Sequence, residues 1–210
     1  LVPFGNLRAV RARRHSHDLG PEQPGRFSQG HNIQHLWPGD PQGNDIERAA
    51  YALDQATIRH WTHAMDMHCW NHFWGAATLG VSDHEPSRAL AEVTTPRFAM
   101  WRPASPPSGA KMMFGQLLRE RGAATVCMEL SGQFQIVERQ VQIGLSSMVN
   151  IARTLGMLPG EPQVPENSLI PITEQSSHAV VAPCAGLFVA AALAPDDWVE
   201  EGQPLGHLIS

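Results

Sequence analysis

The chain of 210 residues is 42% hydrophobic and 17% charged, which is the composition of a globular protein with a substantial core. Its net charge is -5 and its arginines are scattered apart from a short group at positions 8–14, which argues against nucleic acid and for a small-molecule ligand. No apolar run reaches the roughly 20 residues that a membrane span needs, and the odd, widely spaced cysteines at 69, 127 and 184 indicate a reducing compartment, the cytoplasm.

The first part of the chain is predicted to be irregular. Residues 1–5 are typical of the end of a buried strand, so we expect the chain to begin in mid-domain. Residues 6–43 form a long stretch rich in Gly, Pro, His and Arg, and a loop of that length is usually functional. Apolar residues at helical spacing then predict a helix from 44 to about 61, capped by Asn44 or Asp45.

The middle of the chain alternates between predicted strands and helices. Short apolar runs predict strands at 63–70 and 123–130, and amphipathic stretches predict helices at 111–121 and 137–156. Prolines make 81–110 a predicted loop region. This alternation predicts an α/β domain with a mostly parallel sheet flanked by helices.

Three segments follow from this pattern. The α/β domain is predicted to span 1–160, and the polar, proline-containing segment 161–177 is predicted to be a linker. Short apolar runs between Pro and Gly turns predict a small all-β module at 178–210. Domains shorter than about 40 residues are seldom stable alone, so we expect this module to be incomplete.

Two polar residues lie near the carboxyl ends of the predicted strands. His68 follows the run Ala64–Met67, and Glu129 follows the run that begins at 123. The carboxyl ends of strands are where open α/β sheets bind ligands, so we expect both side chains in one cleft. His is the commonest metal ligand and Glu is a natural general base, although a structural His and a helix-capping Glu are open alternatives.

Four sequence elements resemble those of the succinylglutamate desuccinylase/aspartoacylase family of zinc-dependent amidohydrolases. HNIQHLWPGDPQGNDIERAA (31–50) resembles an N-L-N-R element followed by W-P-G and E-R-x-A, and MDMHCW (65–70) resembles a D-L-H element. VCMELSG (126–132) is similar to the catalytic E-x-G element, and the segment from Val180 is similar to the start of the C-terminal β domain. The resemblance implies a zinc-exopeptidase-like fold that hydrolyses an amide in an N-acylated amino acid or related amine.

The resemblance also implies roles for individual residues. His68 is the expected zinc ligand, Glu129 the general base and acid, and Asp66 the residue that orients His68. The family's Gly-x-His-Gly-x-Glu element, which supplies two further ligands, would lie upstream of Leu1. Catalytic zinc takes three protein ligands, so we expect the chain as given to bind zinc weakly and to be inactive.

Asn32, Gln34 and His35 are expected to bind the substrate, in the element that resembles N-L-N-R. Gln34 and His35 stand where the family has Asn and Arg. An arginine binds a carboxylate bidentately and a neutral imidazole does not, so we expect neutral or amine-bearing substrates instead of acidic ones. Arg14 or Arg26 is an alternative source of a guanidinium.

Other metal and thiol sites are less favoured by the sequence. A local metal cluster would have to use four nearby histidines, namely His60, His63, His68 and His72. His68 and His72 are four residues apart, but the strand predicted at 63–70 separates them, and the HExxH glutamate is missing. Cys69 is expected to be buried packing.

The functional alternatives differ in class. A catalytically degenerate or small-molecule-binding protein of the same fold is favoured by the departures at Gln34 and His35. A biotin- or lipoyl-carrier is excluded because Lys111, the only lysine, is not at a hairpin tip of the β module. The expected partner is a small-molecule N-acyl substrate, with no nucleic acid or membrane, and a homo-oligomer is left open.

Overall fold

The computed structural model describes Val2 and residues 5–13, 32–69, 77–102, 111–130, 136–166, 169–173, 175–176, 178, 180–193 and 197–209. The helices in these residues are α1 (Leu7–Ala12), α2 (Asp45–Ala56), α3 (Glu85–Glu92), α4 (Phe114–Glu120) and α5 (Glu138–Thr154). The strands are β1 (His63–Cys69), β2 (Thr78–Ser82), β3 (Phe98–Arg102), β4 (Ala124–Leu130), β5 (Ile170–Ile172), β6 (Leu187–Ala190) and β7 (Gly206–Ile209). Short 3-10 helices occupy Ile33–His35 and Ile58–His60.

The strands form one larger and one smaller sheet. The larger sheet has the order β1-β4-β2-β3-β5, with β3 and β5 parallel and β2 and β4 antiparallel. The smaller sheet pairs β6 with β7 in antiparallel register. The predicted fold class is confirmed: a mainly parallel α/β sheet flanked by helices is followed by a small all-β module.

Helix α2 begins as the sequence predicts. The Asn44 side chain accepts hydrogen bonds from the backbone N–H groups of Ile46 and Glu47, and the Glu47 carboxylate accepts one from the Asn44 N–H. This capping box satisfies donors that the first turn of a helix leaves without partners. Ile46 and Ala50 are fully buried and fix the inner face of the helix.

The chain divides into two compact units. The first comprises Leu1–Asp66, Ser82–Arg88 and Pro103–Val126, and the second comprises Met67–Val81, Ala89–Arg102 and Cys127–Ser210. The division passes within strands β1, β2 and β4.

An aromatic and aliphatic core holds the first unit together. Phe114 packs on Trp37 with ring centroids 4.9 Å apart, and Trp61 meets the same ring edge-on at 6.2 Å. Aromatic pairs in these tilted and edge-on geometries are favourable beyond the apolar area that they bury. Asp54, almost fully buried on α2, is held by two hydrogen bonds from the Arg121 guanidinium, which offsets the cost of burying its charge.

In the second unit, α5 turns small and polar residues towards the protein interior. The buried positions of this helix are Gln140, Gly144, Ser147 and Asn150. The Ser147 hydroxyl accepts a hydrogen bond from the Thr95 N–H at 3.0 Å. The Asn150 side chain donates to the Gln163 carbonyl at 2.9 Å and accepts from the Gln163 N–H at 2.8 Å. These contacts satisfy buried polar groups that would otherwise be costly.

Four elements lie where the sequence predicts loop or linker. Helix α1 is inside the predicted irregular stretch 6–43, and 81–110 contains α3 and β3 rather than loop alone. Pro86 misled the prediction, because the first turn of a helix needs no N–H donor and tolerates proline. Strand β5 is inside the segment predicted to be a linker, and it pairs with β3.

Other predictions concern residues that the structure does not describe. Most of the predicted strand end at 1–5 and all of 14–31 lie there, as do 70–76 and 103–110. Among the helices that the structure describes, none is both long enough and apolar enough to cross a bilayer.

Candidate functional site

Strands β1 and β4, which carry His68 and Glu129, are neighbours in the sheet, as the sequence predicts. Met67 and Leu130 both face α5: a Cβ added to Gly144 would lie 3.5 Å from Met67 Sδ and 3.6 Å from Leu130 Cδ1. Successive strand residues point to opposite faces. His68 and Glu129 therefore lie on the sheet face away from α5, and their opening into one cleft stays a prediction.

Three side chains of residue types that could bind a metal lie near one another on this face. Asp66 and His68, two residues apart on β1, and Cys127 on β4 each offer one ligand atom, and the three atoms lie within 4.8 Å of one another. All three residues are partly buried. An imidazole nitrogen, a carboxylate oxygen and a sulfur are all ligands that zinc accepts. The donor set that the chain presents here therefore fits a zinc ion chemically.

Strand β2 is the second neighbour of β4 and contributes residues to the same sheet face. Its antiparallel register with β4 places Gly80 opposite Cys127 and Thr78 opposite Glu129. Residues directly opposite in such a pair share a face, with Cβ atoms about 4.5–5.5 Å apart. Thr78 is only 3% exposed, and its hydroxyl has no hydrogen-bond partner among the described residues.

Asn32, Gln34 and His35 lie on and before the first 3-10 helix. The Asn32 side chain caps this helix by accepting a hydrogen bond from the Gln34 N–H at 3.0 Å. The Gln34 side-chain amide donates to the Asp66 carboxylate at 3.4 Å. Gln34 therefore approaches the metal-capable group through Asp66, whereas Arg14 lies outside the described residues.

Cys69 is exposed, so the prediction that it is buried packing is wrong. It ends strand β1 and, by alternation, points away from the face that His68 uses. Although the residue reaches the surface, partial desolvation of its thiol raises the pKa of Cys69, and the negative charge of Glu129 raises it further. Glu129 therefore acts electrostatically on the end of β1 next to His68.

Cys127, Thr78 and Gly80 were not predicted as site residues. The alternation of β4 puts Cys127 on the same face as Glu129, and this signal could have marked the cysteine as a site residue. Nothing in the sequence indicates the antiparallel register that brings Thr78 and Gly80 to the same place. Of the four histidines weighed as a local cluster, His60 and His63 are exposed and outside the metal-capable group, and His72 lies outside the described residues.

No protein-family model and no curated protein sequence matches the chain. Among solved structures, it is similar to a succinylglutamate desuccinylase/aspartoacylase from Rhodobacter sphaeroides, with 21% identity, coverage of 99% of this chain and 61% of that chain, and a TM-score of 0.73. A succinylglutamate desuccinylase from a Silicibacter species gives 18% identity, the same coverages and a TM-score of 0.74. An aspartoacylase family protein from Mesorhizobium loti gives 20% identity, 98% and 60% coverage and a TM-score of 0.67.

The chain thus spans 61% or less of the length of these three relatives. The likeness extends over nearly all of its own residues, through both the α/β sheet and the small β module. The chain has the fold of the succinylglutamate desuccinylase/aspartoacylase structures.

Proposed function

We propose that the protein is a zinc-dependent hydrolase that cleaves the amide bond of an N-acylated amino acid or a related amine. The observation that carries the proposal is the placement of His68 and Glu129 on neighbouring strands and on the same sheet face of a deacylase-type fold. The widely spaced cysteines favour a cytoplasmic location.

His68 is the residue of this chain that would hold the zinc ion, with Asp66 beside it on the same strand. When bound, zinc supplies an acidified water and polarises the acyl carbonyl of the substrate. The Asp66 carboxylate lies within reach of both His68 and the Gln34 amide, so it orients the imidazole and fixes Gln34 at once.

Glu129 moves the proton in the proposed reaction. Its carboxylate takes a proton from the attacking water and delivers it to the nitrogen of the leaving amine. One group performs both transfers, which requires it to lie near both the water and the nitrogen. The position of Glu129 on β4, beside the strand that carries His68, supports this role.

The substrate is proposed to lack a carboxylate at the position that the 3-10 helix would contact. Asn32 uses its side-chain oxygen for the helix cap, and Gln34 uses its amide on Asp66, so neither offers a cation. His35 adds an imidazole in place of a guanidinium fork. Neutral or amine-bearing acyl compounds therefore suit this element better than acidic ones.

The test compares Glu129→Gln with the unaltered protein, made from its complete open reading frame and loaded with zinc. Amine release is measured on a panel of acidic, neutral and amine-bearing N-acetyl and N-succinyl compounds. The substitution should lower kcat by about 100-fold or more, and neutral or amine-bearing substrates should be preferred. Glu92→Gln, the same change at an exposed glutamate of α3, is the matched control and should be silent. Equal hydrolysis by the protein and Glu129→Gln would reject the role of Glu129.

A small-molecule-binding protein of the same fold is the second candidate. It is favoured by the Gln34–Asp66 hydrogen bond, which occupies an amide that the reaction would otherwise have for the substrate. Saturable binding of an N-acyl compound by calorimetry, with no turnover across the panel, would support this candidate instead.

A further inference from the structure

We propose that Cys127 is a metal ligand, and that together with His68 it binds a thiophilic divalent cation such as Zn²⁺ or Cd²⁺. The proposal rests on the metal role of His68 in the proposed function and adds a sulfur to it. It also differs from the expectation that this chain supplies a single ligand, because two donors would come from its own residues.

The geometry is close to what a tetrahedral site needs. With metal–ligand distances of 2.0–2.3 Å, donor atoms of such a site are about 3.5 Å apart. The donor atoms of His68 and Cys127 lie within 4.8 Å of one another, so small side-chain adjustments would bring them to the spacing that one ion requires.

The residue opposite Cys127 on the neighbouring strand has no side chain. Gly80 is paired with Cys127 across β2 and β4, and a Cβ there would already lie 3.6 Å from the Cys127 Cβ. Any larger side chain at position 80 would fill the sheet face beside the sulfur. The glycine therefore keeps the flank of Cys127 open.

A second, independent feature points to a ligand on the same face. Thr78 lies two residues before Gly80 on β2, opposite Glu129, and its buried hydroxyl lacks a partner in the described part of the chain. Buried hydroxyls are normally hydrogen-bonded. A water or anion held by the metal would supply the missing partner, between Thr78 and Glu129.

The chemistry of the donors sets the preference for the metal. Thiolate ligands select soft cations, whereas Mg²⁺ prefers oxygen ligands. Coordination replaces the S–H bond of Cys127 by a metal–sulfur bond, and the proton leaves to solvent. The site is therefore expected to bind Cd²⁺ and Zn²⁺ and to ignore Mg²⁺.

The experiment titrates the metal-free protein with Cd²⁺ and follows the ultraviolet absorption of the cadmium–sulfur bond. One equivalent should produce this band, Zn²⁺ should displace the Cd²⁺, and Mg²⁺ should have no effect. Cys127→Ser should remove the band and weaken binding at least about 10-fold, the smallest loss typical of disturbing a metal site. Cys69→Ser and Cys184→Ser are matched controls that should keep both.

A second measurement uses the unaltered protein, so its result does not depend on whether the Cys127→Ser variant folds. Bound Cd²⁺ should protect Cys127 of the unaltered protein from alkylation, read by mass spectrometry, while Cys69 and Cys184 react as before. A band that survives Cys127→Ser, or alkylation of Cys127 that Cd²⁺ does not slow, would overturn the proposal. If His68→Ala abolishes Cd²⁺ binding and Cys127→Ser does not, His68 is a metal ligand and Cys127 is not. If both substitutions abolish Cd²⁺ binding but the unaltered protein hydrolyses no substrate, only the proposed function fails.

Discussion

At the scale of single residues, Glu47 has two structural duties. Its carboxylate accepts a hydrogen bond from the Asn44 N–H at 2.8 Å and a second from the ammonium group of Lys111. The Lys111 hydrogen bond, followed by the one from Asn44, holds the pKa of Glu47 below its ordinary value of 4.5. The charged form is thus favoured in the folded state.

This shift gives a pH dependence with a definite sign. A lowered pKa stabilises the protein above pH 4.5, and that contribution is lost as the pH falls through the folded-state value. Glu47→Gln should therefore lower the free energy of unfolding at neutral pH by about 1 kcal/mol. The difference from the unaltered protein should shrink in acid, as measured by urea unfolding across the pH range. A difference that stays constant down to the acid limit would contradict the shift, and Glu92→Gln serves as control.

Thr78 allows stability and ligand binding to be separated. Thr78→Val keeps the shape of the side chain and removes a buried hydroxyl with no partner in the described residues. The metal-free protein should gain about 1 kcal/mol of unfolding free energy, because an unsatisfied buried hydroxyl carries a desolvation cost of that order. Cd²⁺ affinity should fall, and Thr78→Ser should restore it. If Thr78→Val loses stability and keeps its Cd²⁺ affinity, the hydroxyl has a purely structural role.

At the scale of elements, α5 packs against the sheet at Gly144. A Cβ at Gly144 would meet Met67 and Leu130 at 3.5 and 3.6 Å, which is ordinary van der Waals contact. Gly144→Ala should therefore stabilise the protein by up to about 1 kcal/mol through its higher helix propensity. Gly144→Leu should destabilise it by overpacking. Urea unfolding measures both, and destabilisation by the alanine would show that the contact tolerates no methyl group.

The elements that the sequence predicts well are those with a single dominant signal. The alternation of β1 and β4 predicts their bounds to within one residue, and the capping box of α2 predicts its start equally well. The helix ends at Ala56, however, about five residues before the predicted end. Helix α5 was predicted, but not its buried stripe of Gly144, Ser147 and Asn150, because small and polar residues are buried here only through partners distant in sequence. Strand β5 was missed since three residues show no periodicity.

Some residues of the candidate site can likewise be predicted from the sequence and others cannot. His68 and Glu129 were identified because each ends an apolar run and matches a sequence element of a known family. That β1 and β4 are neighbours follows from the expectation that His68 and Glu129 share a cleft, but the place of β2 beside β4 is not readable from strand patterns. Long-range pairing of this kind is fixed by the packing of the whole sheet, not by local sequence.

At the scale of the whole molecule, the fold persists where the sequence has diverged. Structures only 18–21% identical to the chain superimpose over almost its full length. Burial constrains only the size and polarity of core residues, so many sequences satisfy one framework. A shared framework does not fix the reaction, which is why the test of function has to be made at Glu129 and Cys127.

The order of the strands has a further consequence, for the speed of metal exchange. Strand β4 is paired on both sides, whereas β1 is at one end of the described sheet, so the proposed ligands Cys127 and His68 lie on strands with different resistance to opening. End strands open locally without global unfolding. Backbone amides of β1 should exchange with deuterium faster than those of β4, and Cd²⁺ should slow β1 most. An ion in this site would then leave at the rate at which β1 frays, and the lifetime of the complex would be set by backbone opening instead of by ligand chemistry.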